Sequence, residues 1–377
     1  MTNLIYIHTT DLAANDTSAT FVINNALSLA HAGAAVTLIV MNRSNENGQM
    51  LIRRKFGLTS WPDNLTVIAV RGKSHLWFYL RAGWYVRKTS TSSVILTRSH
   101  KALLYLMLWK NRRHKYFFET HDFFYDLSLR TDINPDKRRT KSGIEQKYFR
   151  RLDGLVCLNQ EQKKLYNNYL QVPIGVFRTG APRVERHGGV RKKRIVYVGS
   201  LNERLGIDRI VKLIPLLGKD VEWLIIGGKT HEEVTGFPRR FPEGVLPANV
   251  KITGWIDKNE LAGYLHSAQV GLLPLHNTFF NQYLTVPLKL FDYFAFGIPV
   301  ICSDFPCIRE LVEDGSDGFL TDWQNLEKVA NTIRNLLSDK ELTSRISENV
   351  YRKAERFSWE NRGRHLLEFL NNPDQRL

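Results

Sequence analysis

Cysteine is scarce in this sequence, with three residues in 377, at Cys157, Cys302 and Cys307. An odd and scattered set of cysteines supplies neither a disulfide framework nor the spacing of a zinc site. We expect Cys302 and Cys307, which flank the end of a predicted strand, to be small apolar core residues. The cysteine content fits a reducing compartment, and we predict a cytoplasmic location.

Long apolar runs are also lacking. No stretch reaches the roughly 18 apolar residues that a membrane-spanning helix needs, and the longest candidate, 102–109, predicts a short buried helix. The first ten residues have no basic segment and no small-residue cleavage site. They predict a first β-strand rather than a signal peptide.

Several nucleotide and metal motifs are missing. The loop after the first predicted strand, Asp11–Ser18, contains no glycine, which counts against the GxGxxG fingerprint of an ordinary dehydrogenase. Neither a Walker motif nor an HExxH pair occurs, and no Asp-x-Asp pair follows a strand. We therefore expect no metal ion and no cofactor.

Acidic residues are outnumbered by basic ones, 37 to 53, so the formal net charge is +16. This excess predicts an anionic partner but does not identify it. Nucleic acid, anionic lipid and phosphorylated substrates all remain open on charge alone.

The N-terminal half alternates short apolar strands with helical periodicity, which is typical of a doubly wound parallel sheet. A helix is predicted over Thr20–Ala32, ended by Gly33. The predicted strands are Leu4–Tyr6, Ala35–Met41, Thr66–Val70, Ser93–Thr97, Tyr116–Phe118 and Gly154–Leu158.

The second half repeats this alternation. Its predicted strands are Arg194–Val198, Trp223–Ile226, Val250–Ile252, Val270–Leu273, Pro299–Ser303 and Gly318–Thr321. One helix is predicted to begin near Ile207. The other predicted helices are Leu261–Ser267, Leu288–Phe296, Leu326–Leu337 and Leu342–Phe357. The fold class predicted is α/β, with two Rossmann-like domains and a ligand cleft at the carboxyl ends of their strands.

A segment rich in glycine, proline and basic residues, Pro173–Lys193, predicts the connection between the two domains. We place the N-terminal domain at 1–175 and the C-terminal domain at 176–357. The last helix, about 358–377, is expected to pack back on the N-terminal domain.

The segment Val286–Val300, with the sequence VPLKLFDYFAFGIPV, is the most informative in the chain. Its proline suits the first turn of a helix, where unpaired backbone N–H groups can bind a diphosphate. Lys289 adds a positive charge beside them, and Asp292 could accept hydrogen bonds from ribose hydroxyls. Taken alone, Lys289 and Asp292 are better explained as a solvated pair three residues apart on a helix.

This segment resembles the PxKLFEY signature of the retaining glycosyltransferase family 4, which has the GT-B fold. Further family motifs are matched in the same order over roughly 160 residues of the second half. They are Tyr197–Leu201, Gly206–Asp208, Leu224–Gly228, Asn249–Trp255, Pro306 with Ile308–Gly315, and Phe357–Glu360.

The resemblance implies a nucleotide-sugar site. The implied donor-binding residues are Gly199, Ser200, Gly228, Gly254, Trp255, Ile256, Thr285, Pro287, Leu288 and Asp292. The implied catalytic residues are His121, Lys289 and Arg204, with His121 in the segment Glu119–Asp122 near the reacting sugar. A packed or capping histidine is the alternative for His121.

Three departures from the family pattern are visible. The lysine before the Gly206 turn would fall at Leu205, with Arg204 beside it as a substitute. The first of the paired glutamates would fall at Leu284, and the second is the shorter Asp292. The glycine-rich first loop is absent, so a weakened or non-catalytic member is an alternative.

The mechanism implied by the resemblance uses no metal. Arg204, Lys289 and helix N-terminal amides would hold the diphosphate, on which negative charge develops as the sugar leaves. The anomeric configuration would be retained, with attack on the face from which the nucleotide departs.

The stretch Arg71–Lys115 contains eleven lysines or arginines and no acidic residue, with aromatic residues interleaved. Basic and aromatic side chains together suit an anionic membrane surface. The alternative is a solvated basic face over buried aromatics. No helix-turn-helix, RNP or zinc pattern occurs, so no nucleic-acid partner is expected.

The predicted function is sugar transfer from a nucleotide-diphosphate sugar to a cell-envelope glycan or lipid-linked acceptor. We expect a cytoplasmic protein, peripheral on the inner face of the cell membrane. A nucleotide-sugar epimerase of the same fold would need catalytic acids that the sequence does not display. A non-catalytic GT-B binding subunit is a second alternative.

Overall fold

The computed structural model describes residues 1–14, 17–72, 74–186, 191–256 and 258–375, without the side chains of 258 and 259. Two compact units are present. The N-terminal unit is Met1–Gly180 together with Trp359–Leu377, and the C-terminal unit is Ala181–Ser358. The division after Gly180 lies slightly beyond residue 175, where the sequence placed it. The described part of the chain contains no helix long and apolar enough to cross a membrane.

The N-terminal unit contains a seven-stranded sheet of order β3-β2-β1-β4-β5-β6-β7, in which the paired strands run parallel. Its strands are β1 (Asn3–Asp11), β2 (Ala35–Asn42), β3 (Leu65–Arg71), β4 (Val94–Thr97), β5 (Lys115–Glu119), β6 (Gly154–Cys157) and β7 (Ile174–Val176). β2 is a nearly continuous apolar run, and β1 contains the fully buried apolar run Leu4–Ile7, because helices cover both faces of such a sheet.

β7 corrects the sequence prediction for 173–193. Its residues were assigned to the connection between domains, whereas Ile174 pairs with Leu155 and Val176 with Cys157 at the edge of the sheet. Three residues are too few to show a periodic pattern. Only the pairing with β6 makes this segment a strand.

The helices of the N-terminal unit surround its sheet. They are α1 (Thr17–His31), α2 (Gly48–Phe56), α3 (His75–Lys88), α4 (His100–Leu108), α5 (Arg139–Tyr148), α6 (Gln160–Asn167) and, after the C-terminal unit, α15 (Trp359–Asn371). α15 packs closely on α1, since a Cβ on Gly363 would lie 2.4 Å from the Ser28 carbonyl oxygen. Leu366 and Leu370 of α15 are fully buried in the core of this unit.

The C-terminal unit contains a six-stranded sheet of order β10-β9-β8-β11-β12-β13, again with parallel pairs. Its strands are β8 (Arg194–Val198), β9 (Glu222–Ile226), β10 (Val250–Ile252), β11 (Val270–Leu273), β12 (Val300–Ser303) and β13 (Gly318–Thr321). Its helices are α7 (Ile207–Leu213), α8 (His231–Thr235), α9 (Lys258–His266), α10 (Phe279–Tyr283), α11 (Leu288–Ala295), α12 (Pro306–Arg309), α13 (Leu326–Ser338) and α14 (Lys340–Arg356).

The predicted pair of doubly wound parallel sheets is confirmed. In each sheet the strand order reverses beside the first strand of the unit, since β1 lies between β2 and β4 and β8 lies between β9 and β11. Ligands bind such sheets at the carboxyl ends of the strands around this reversal. The loops after β1, β4, β8 and β11 are therefore the first places to look for a site.

Candidate functional site

α11 is held against the end of β8 by a buried tyrosine. The Tyr293 hydroxyl accepts a hydrogen bond of 2.9 Å from the Val198 backbone N–H. The ring lies on β11 at Gly271, where a Cβ would come within 2.8 Å of it. Because of this anchor, the first turn of α11 faces the loop that follows β8.

Lys289, in that first turn, points its ammonium group into this loop. Nζ lies 4.2 Å from the centroid of the Tyr197 ring, at the end of β8. A Cβ on Gly199 would be only 2.6 Å from Nζ, so glycine at this position leaves room for the amine. Gly199 also has φ +148, which a residue with a side chain rarely adopts.

The Lys289 Nζ atom is buried and has no hydrogen-bond partner among the described residues. Burial lowers the pKa of this lysine to about 7. A buried cation without a partner is costly in the free protein. The arrangement is therefore complementary to an anion bound beside Gly199.

Glycine backbone surrounds the same edge of the sheet. A Cβ on Gly227 would lie 1.7 Å from the Gly199 carbonyl oxygen, so the segments after β8 and β9 touch at backbone level. Gly228 has φ +108, and Gly254 has φ +76 and bridges to Gly227. The segments after β8, β9 and β10 thus meet where the family resemblance puts donor-binding glycines.

Trp255 and Ile256 follow Gly254 on the loop after β10. The Trp255 side chain is 49% exposed, which leaves its ring accessible to a ligand. Ser200, on the loop after β8, accepts a hydrogen bond of 2.8 Å from the Tyr197 hydroxyl through its carbonyl oxygen.

Arg204 lies in a one-turn 3-10 helix, Glu203–Leu205, and its side chain is exposed. Asn281 of α10 donates a hydrogen bond of 3.2 Å to its carbonyl oxygen. The adjoining Gly206 has φ +81, and a Cβ there would lie 1.7 Å from the Pro274 carbonyl oxygen. The loops after β8 and β11 are thus in close backbone contact.

The segment between α10 and α11 is well packed. Leu284 is 1% exposed, and Thr285 is also buried. Pro287 precedes α11 in an extended conformation, so Leu288 begins the helix. The buried Leu284 fills a core position where the family pattern has a polar glutamate, and Asp292 lies one turn beyond Lys289.

His121 lies in the N-terminal unit, just after β5, within a network of charged side chains. Its Nδ1 is 2.9 Å from Arg98 Nη2, and its Nε2 is 3.2 Å from Glu119 Oε1. Arg362 of α15 donates to Glu119 Oε1 at 2.6 Å and to Asn25 Oδ1 at 2.7 Å. The Arg98 guanidinium also lies 4.5 Å from the Phe21 ring centroid.

The network fixes the protonation of its members. Burial, with the Arg98 charge, lowers the pKa of His121 to about 4. Burial alone would raise the pKa of Glu119, but the Arg362 charge and the His121 hydrogen bond lower it to about 2. At neutral pH a neutral His121 therefore accepts from Arg98 at Nδ1 and donates from Nε2 to an ionised Glu119.

The sequence prediction named His121 but missed Arg98, Glu119 and Arg362. Arg98 follows β4 directly, and its Nε and Nη1 atoms are buried without a hydrogen-bond partner among the described residues. Its place after a central strand was the one signal in the sequence. Glu119 and Arg362 are 243 positions apart, so no local pattern joins them.

A second buried group supports the loop that carries His121. Glu145 of α5 accepts hydrogen bonds from Tyr166 and from the Phe124 N–H, and it lies 2.8 Å from His100 Nε2. Burial raises the pKa of Glu145 well above its ordinary value. The Asp122 carboxylate pairs with Arg130, so the backbone that follows His121 is held in place.

The predicted site residues fall into two groups. The C-terminal unit holds Lys289 and Arg204 with the predicted donor-binding residues, and the Lys289 amine lies where a side chain on Gly199 would be. The N-terminal unit holds His121.

Residues 192–339 match the family described as Glycosyl transferases group 1. The chain is 22% identical over 275 residues to an uncharacterised 41.2 kDa protein in the cps region of Klebsiella pneumoniae, covering 68% of this chain and 72% of that protein. It is 27% identical over 146 residues to the amylovoran biosynthesis glycosyltransferase AmsK of Erwinia amylovora, covering 38% of this chain and 35% of AmsK.

Solved structures share the fold over nearly the whole chain. Sucrose-phosphate synthase from Thermosynechococcus elongatus superposes with a TM-score of 0.77 at 16% identity, covering 98% of both chains. Anabaena HepE in complex with UDP-glucose superposes with a TM-score of 0.73 at 12% identity, covering 98% of this chain and 100% of HepE. The match of residues 192–339 to this family model and the named glycosyltransferase relatives together identify the protein as a glycosyltransferase enzyme.

Proposed function

We propose that the protein transfers a sugar, with retention of anomeric configuration and without a metal ion, from a nucleotide-diphosphate sugar to a cell-envelope glycan or lipid-linked acceptor. The observation that carries this proposal is the buried Lys289 ammonium group without a hydrogen-bond partner among the described residues. A diphosphate would supply the missing negative charge.

The surroundings of Lys289 suit a nucleotide diphosphate. The N–H groups of the first turn of α11 have no partner within the helix, and the helix dipole favours an anion there. The glycines after β8 and β9 allow close approach of a ligand to the backbone. The half-exposed Trp255 offers a ring to the nucleotide base, and Asp292 offers a carboxylate to the ribose.

Charge development explains why this site would accelerate transfer. As the bond to the sugar breaks, negative charge grows on the departing diphosphate. Lys289, the exposed Arg204 and the α11 amides would stabilise that charge without rearranging. No chain carboxylate is assigned as a nucleophile, so we propose attack on the face from which the diphosphate leaves, and we keep His121 as the proposed contact of the transferred sugar.

The relatives indicate which donors and acceptors to test first. The HepE structure is a complex with UDP-glucose, so UDP-sugars are the first donors to test. The relatives from a cps region and from amylovoran biosynthesis favour a polysaccharide or a lipid-linked precursor as acceptor. We propose that transfer takes place on the cytoplasmic side of the membrane.

Thermal unfolding with nucleotides tests the donor site. The Tm is measured with UDP, GDP, ADP, CMP or one of their sugar conjugates, once in the presence of EDTA and once in the presence of Mg²⁺. A ligand at 100 times its dissociation constant should stabilise the fold by about 2.7 kcal/mol. We expect one nucleotide diphosphate to raise the Tm more than the others do, and by the same amount in EDTA as in Mg²⁺.

Variants assign that shift to the proposed site. Lys289→Met should weaken donor binding roughly 10- to 100-fold, the usual loss for a hydrogen bond to a charged group. Lys212→Met, an exposed lysine of α7, is the matched control and should bind the donor normally. No shift with any nucleotide would favour a non-catalytic binding subunit. Unchanged binding in Lys289→Met would refute the site.

Detection of a glycosylated product tests sugar transfer directly. With a donor identified, incubation with a lipid-linked oligosaccharide fraction should yield a glycoside whose anomeric proton has the same coupling in NMR as the donor sugar. An inverted coupling would disprove retention. Interconversion of the donor sugar without transfer would indicate an epimerase.

A further inference from the structure

α3 carries a stripe of exposed tryptophans and cations along one side. Trp77, Arg81, Trp84 and Lys88 are spaced four, three and four residues apart, so they lie on the same face of the helix. The two tryptophans are 66% and 57% exposed. The opposite side of α3, which includes Phe78 and Val86, is buried.

α4 extends this surface. It packs against α3, and the Trp109 ring, just after α4, lies where a Cβ on Gly83 would come within 2.6 Å of it. Leu108 is 60% exposed and Trp109 is 37% exposed. We call the combined surface the aromatic–basic face, which consists of Leu76, Trp77, Arg81, Trp84, Lys88, Leu108 and Trp109.

The charge around the aromatic–basic face has one sign. The segment 71–115 has no acidic residue. Its exposed cations are Arg71, Arg81, Arg87, Lys88, Lys101, Arg112, Arg113 and Lys115. α5, which packs on α4, adds the exposed Lys147, while its Arg139 is paired with the exposed Asp136. The Lys88 ammonium lies 4.1 Å from the Trp84 ring centroid, so cations and rings are interleaved at close range.

Single apolar side chains on a protein surface need no explanation, but an adjoining group of exposed tryptophans and leucines does. Tryptophan rings favour the headgroup level of a bilayer, where the apolar ring and the polar N–H both find suitable surroundings. Lysine and arginine place their alkyl chains beside the rings and their charges at lipid phosphates.

We propose that the aromatic–basic face docks on an anionic lipid bilayer, with α3 and α4 lying along the surface. This inference goes beyond the proposed function, because the face belongs to the N-terminal unit and the donor site to the C-terminal unit. Membrane docking would bring the enzyme to a lipid-linked acceptor. It stands or falls independently of which sugar is transferred.

Vesicle sedimentation tests the docking. Full-length protein is mixed with phosphatidylcholine vesicles, or with equimolar phosphatidylcholine and phosphatidylglycerol. We expect binding to the anionic vesicles that weakens with added salt, because salt screens exposed charges. The double variant Arg81→Glu, Lys88→Glu should bind at least tenfold more weakly, since each cation near an anionic surface contributes about fivefold.

A matched control separates the aromatic–basic face from overall charge. The double variant Lys340→Glu, Arg345→Glu makes the same charge change at exposed positions of α14. It should sediment like the unchanged protein. Equal losses in the two double variants would overturn the proposal, because they would show that net charge alone drives binding.

The tryptophans provide a direct readout of contact. Brominated lipids should quench part of the fluorescence in the unchanged protein. The variant Trp77→Ser, Trp84→Ser keeps Trp109 but should show much less quenching and bind at least tenfold more weakly. Nucleotide-induced thermal shifts verify that each variant is folded.

Three results would overturn the docking proposal. They are equal sedimentation with neutral and anionic vesicles, tighter binding to a single-stranded oligonucleotide than to anionic vesicles, and self-association of the free protein that the tryptophan variant abolishes. A changed nucleotide-induced Tm shift together with unchanged vesicle binding would bear on the donor site and leave the docking proposal standing.

Discussion

At the scale of single residues, the buried ammonium group of Lys289 is unfavourable for folding of the nucleotide-free protein. Burial lowers its pKa to about 7, from an ordinary value of 10.5. Between these values the unfolded chain holds a proton that the folded chain has released. The lysine therefore opposes folding most strongly below pH 7, and this opposition fades as the pH rises toward 10.5.

Replacement of Lys289 should therefore stabilise the nucleotide-free protein. Lys289→Met removes a buried charge and keeps a similar volume, so we expect a higher Tm at pH 6 to 7 together with the loss of donor binding. Differential scanning calorimetry without nucleotide measures the change. A lower Tm would mean that the ammonium is solvated or paired in the free protein.

Donor affinity should depend on pH through the same group. A bound diphosphate needs the protonated amine, so affinity should be constant well below pH 7 and fall about tenfold per pH unit well above it, until the pKa of the complex is reached. Isothermal titration with a nucleotide sugar measures this. Lys289→Arg, which stays charged, should show a flat profile. A sloping profile in this variant would assign the titration to another group.

His121 predicts a pH dependence of stability. Its pKa is about 4 in the folded protein and 6.5 in the unfolded chain, so the unfolded chain takes up more protons between these values. The contribution of the neutral imidazole is complete above pH 6.5 and is lost as the pH falls toward 4. In urea unfolding, the unfolding free energy of His121→Gln should decrease less than that of the unchanged protein as the pH falls from 6.5 to 4. His365→Gln, an exposed histidine of α15, should leave the slope unchanged.

At the scale of secondary structure, the position of α11 depends on its packing against β8 and β11 as much as on its own sequence. The buried Tyr293 joins it to the Val198 N–H, and Gly271 of β11 makes room for the ring. Its neighbour α10 is fixed through Asn281, which donates to the Arg204 and His276 carbonyl oxygens. The position of the first turn that carries Lys289 therefore depends on residues outside that turn.

Tyr293→Phe tests this support. The Val198 N–H would lose its acceptor, which should cost about 1–3 kcal/mol of unfolding free energy. Donor affinity should fall with it, because the first turn of α11 would be less well held. Tyr264→Phe, whose hydroxyl accepts a hydrogen bond from the exposed Lys251, is the control and should change stability by less than about 0.5 kcal/mol. Equal effects in both variants would refute the anchoring role.

At the scale of the whole molecule, the N-terminal unit is built from two separate pieces of chain. α15 supplies Leu366 and Leu370 to its core and Arg362 to the buried Glu119. The C-terminal unit is one continuous piece, Ala181–Ser358. The two units should therefore respond differently when they are expressed alone.

Truncation makes this difference measurable. A fragment of residues 181–358 should unfold cooperatively by circular dichroism. A fragment of residues 1–180 lacks α15, and removal of one partner of a buried ion pair costs roughly 3–5 kcal/mol before the lost apolar contacts are counted. It should be unfolded or aggregated, and a covalently linked 359–377 segment should restore it. Stable folding of 1–180 would show that α15 is dispensable.

The sequence by itself determined the fold class and the placement of most strands. Apolar runs of strand length, separated by segments with helical periodicity, are local patterns. Such patterns can be identified from the sequence without a structure. The segment from Val286 to Val300 likewise indicated a helix start with Lys289 and Asp292 one turn apart, and α11 begins at Leu288. The assignment of site residues and the domain limits remain predictions.

Only the tertiary structure decided which groups meet. β7 exists because β6 pairs with it, and the joining of Glu119 to Arg362 across 243 positions depends on α15 returning to α1. The burial of the Lys289 amine against Tyr197 and the exposure of Trp77 and Trp84 were equally hidden in the sequence. The physical reason is common to all of them, since burial and charge pairing are properties of neighbours in space that a pattern along the chain does not record.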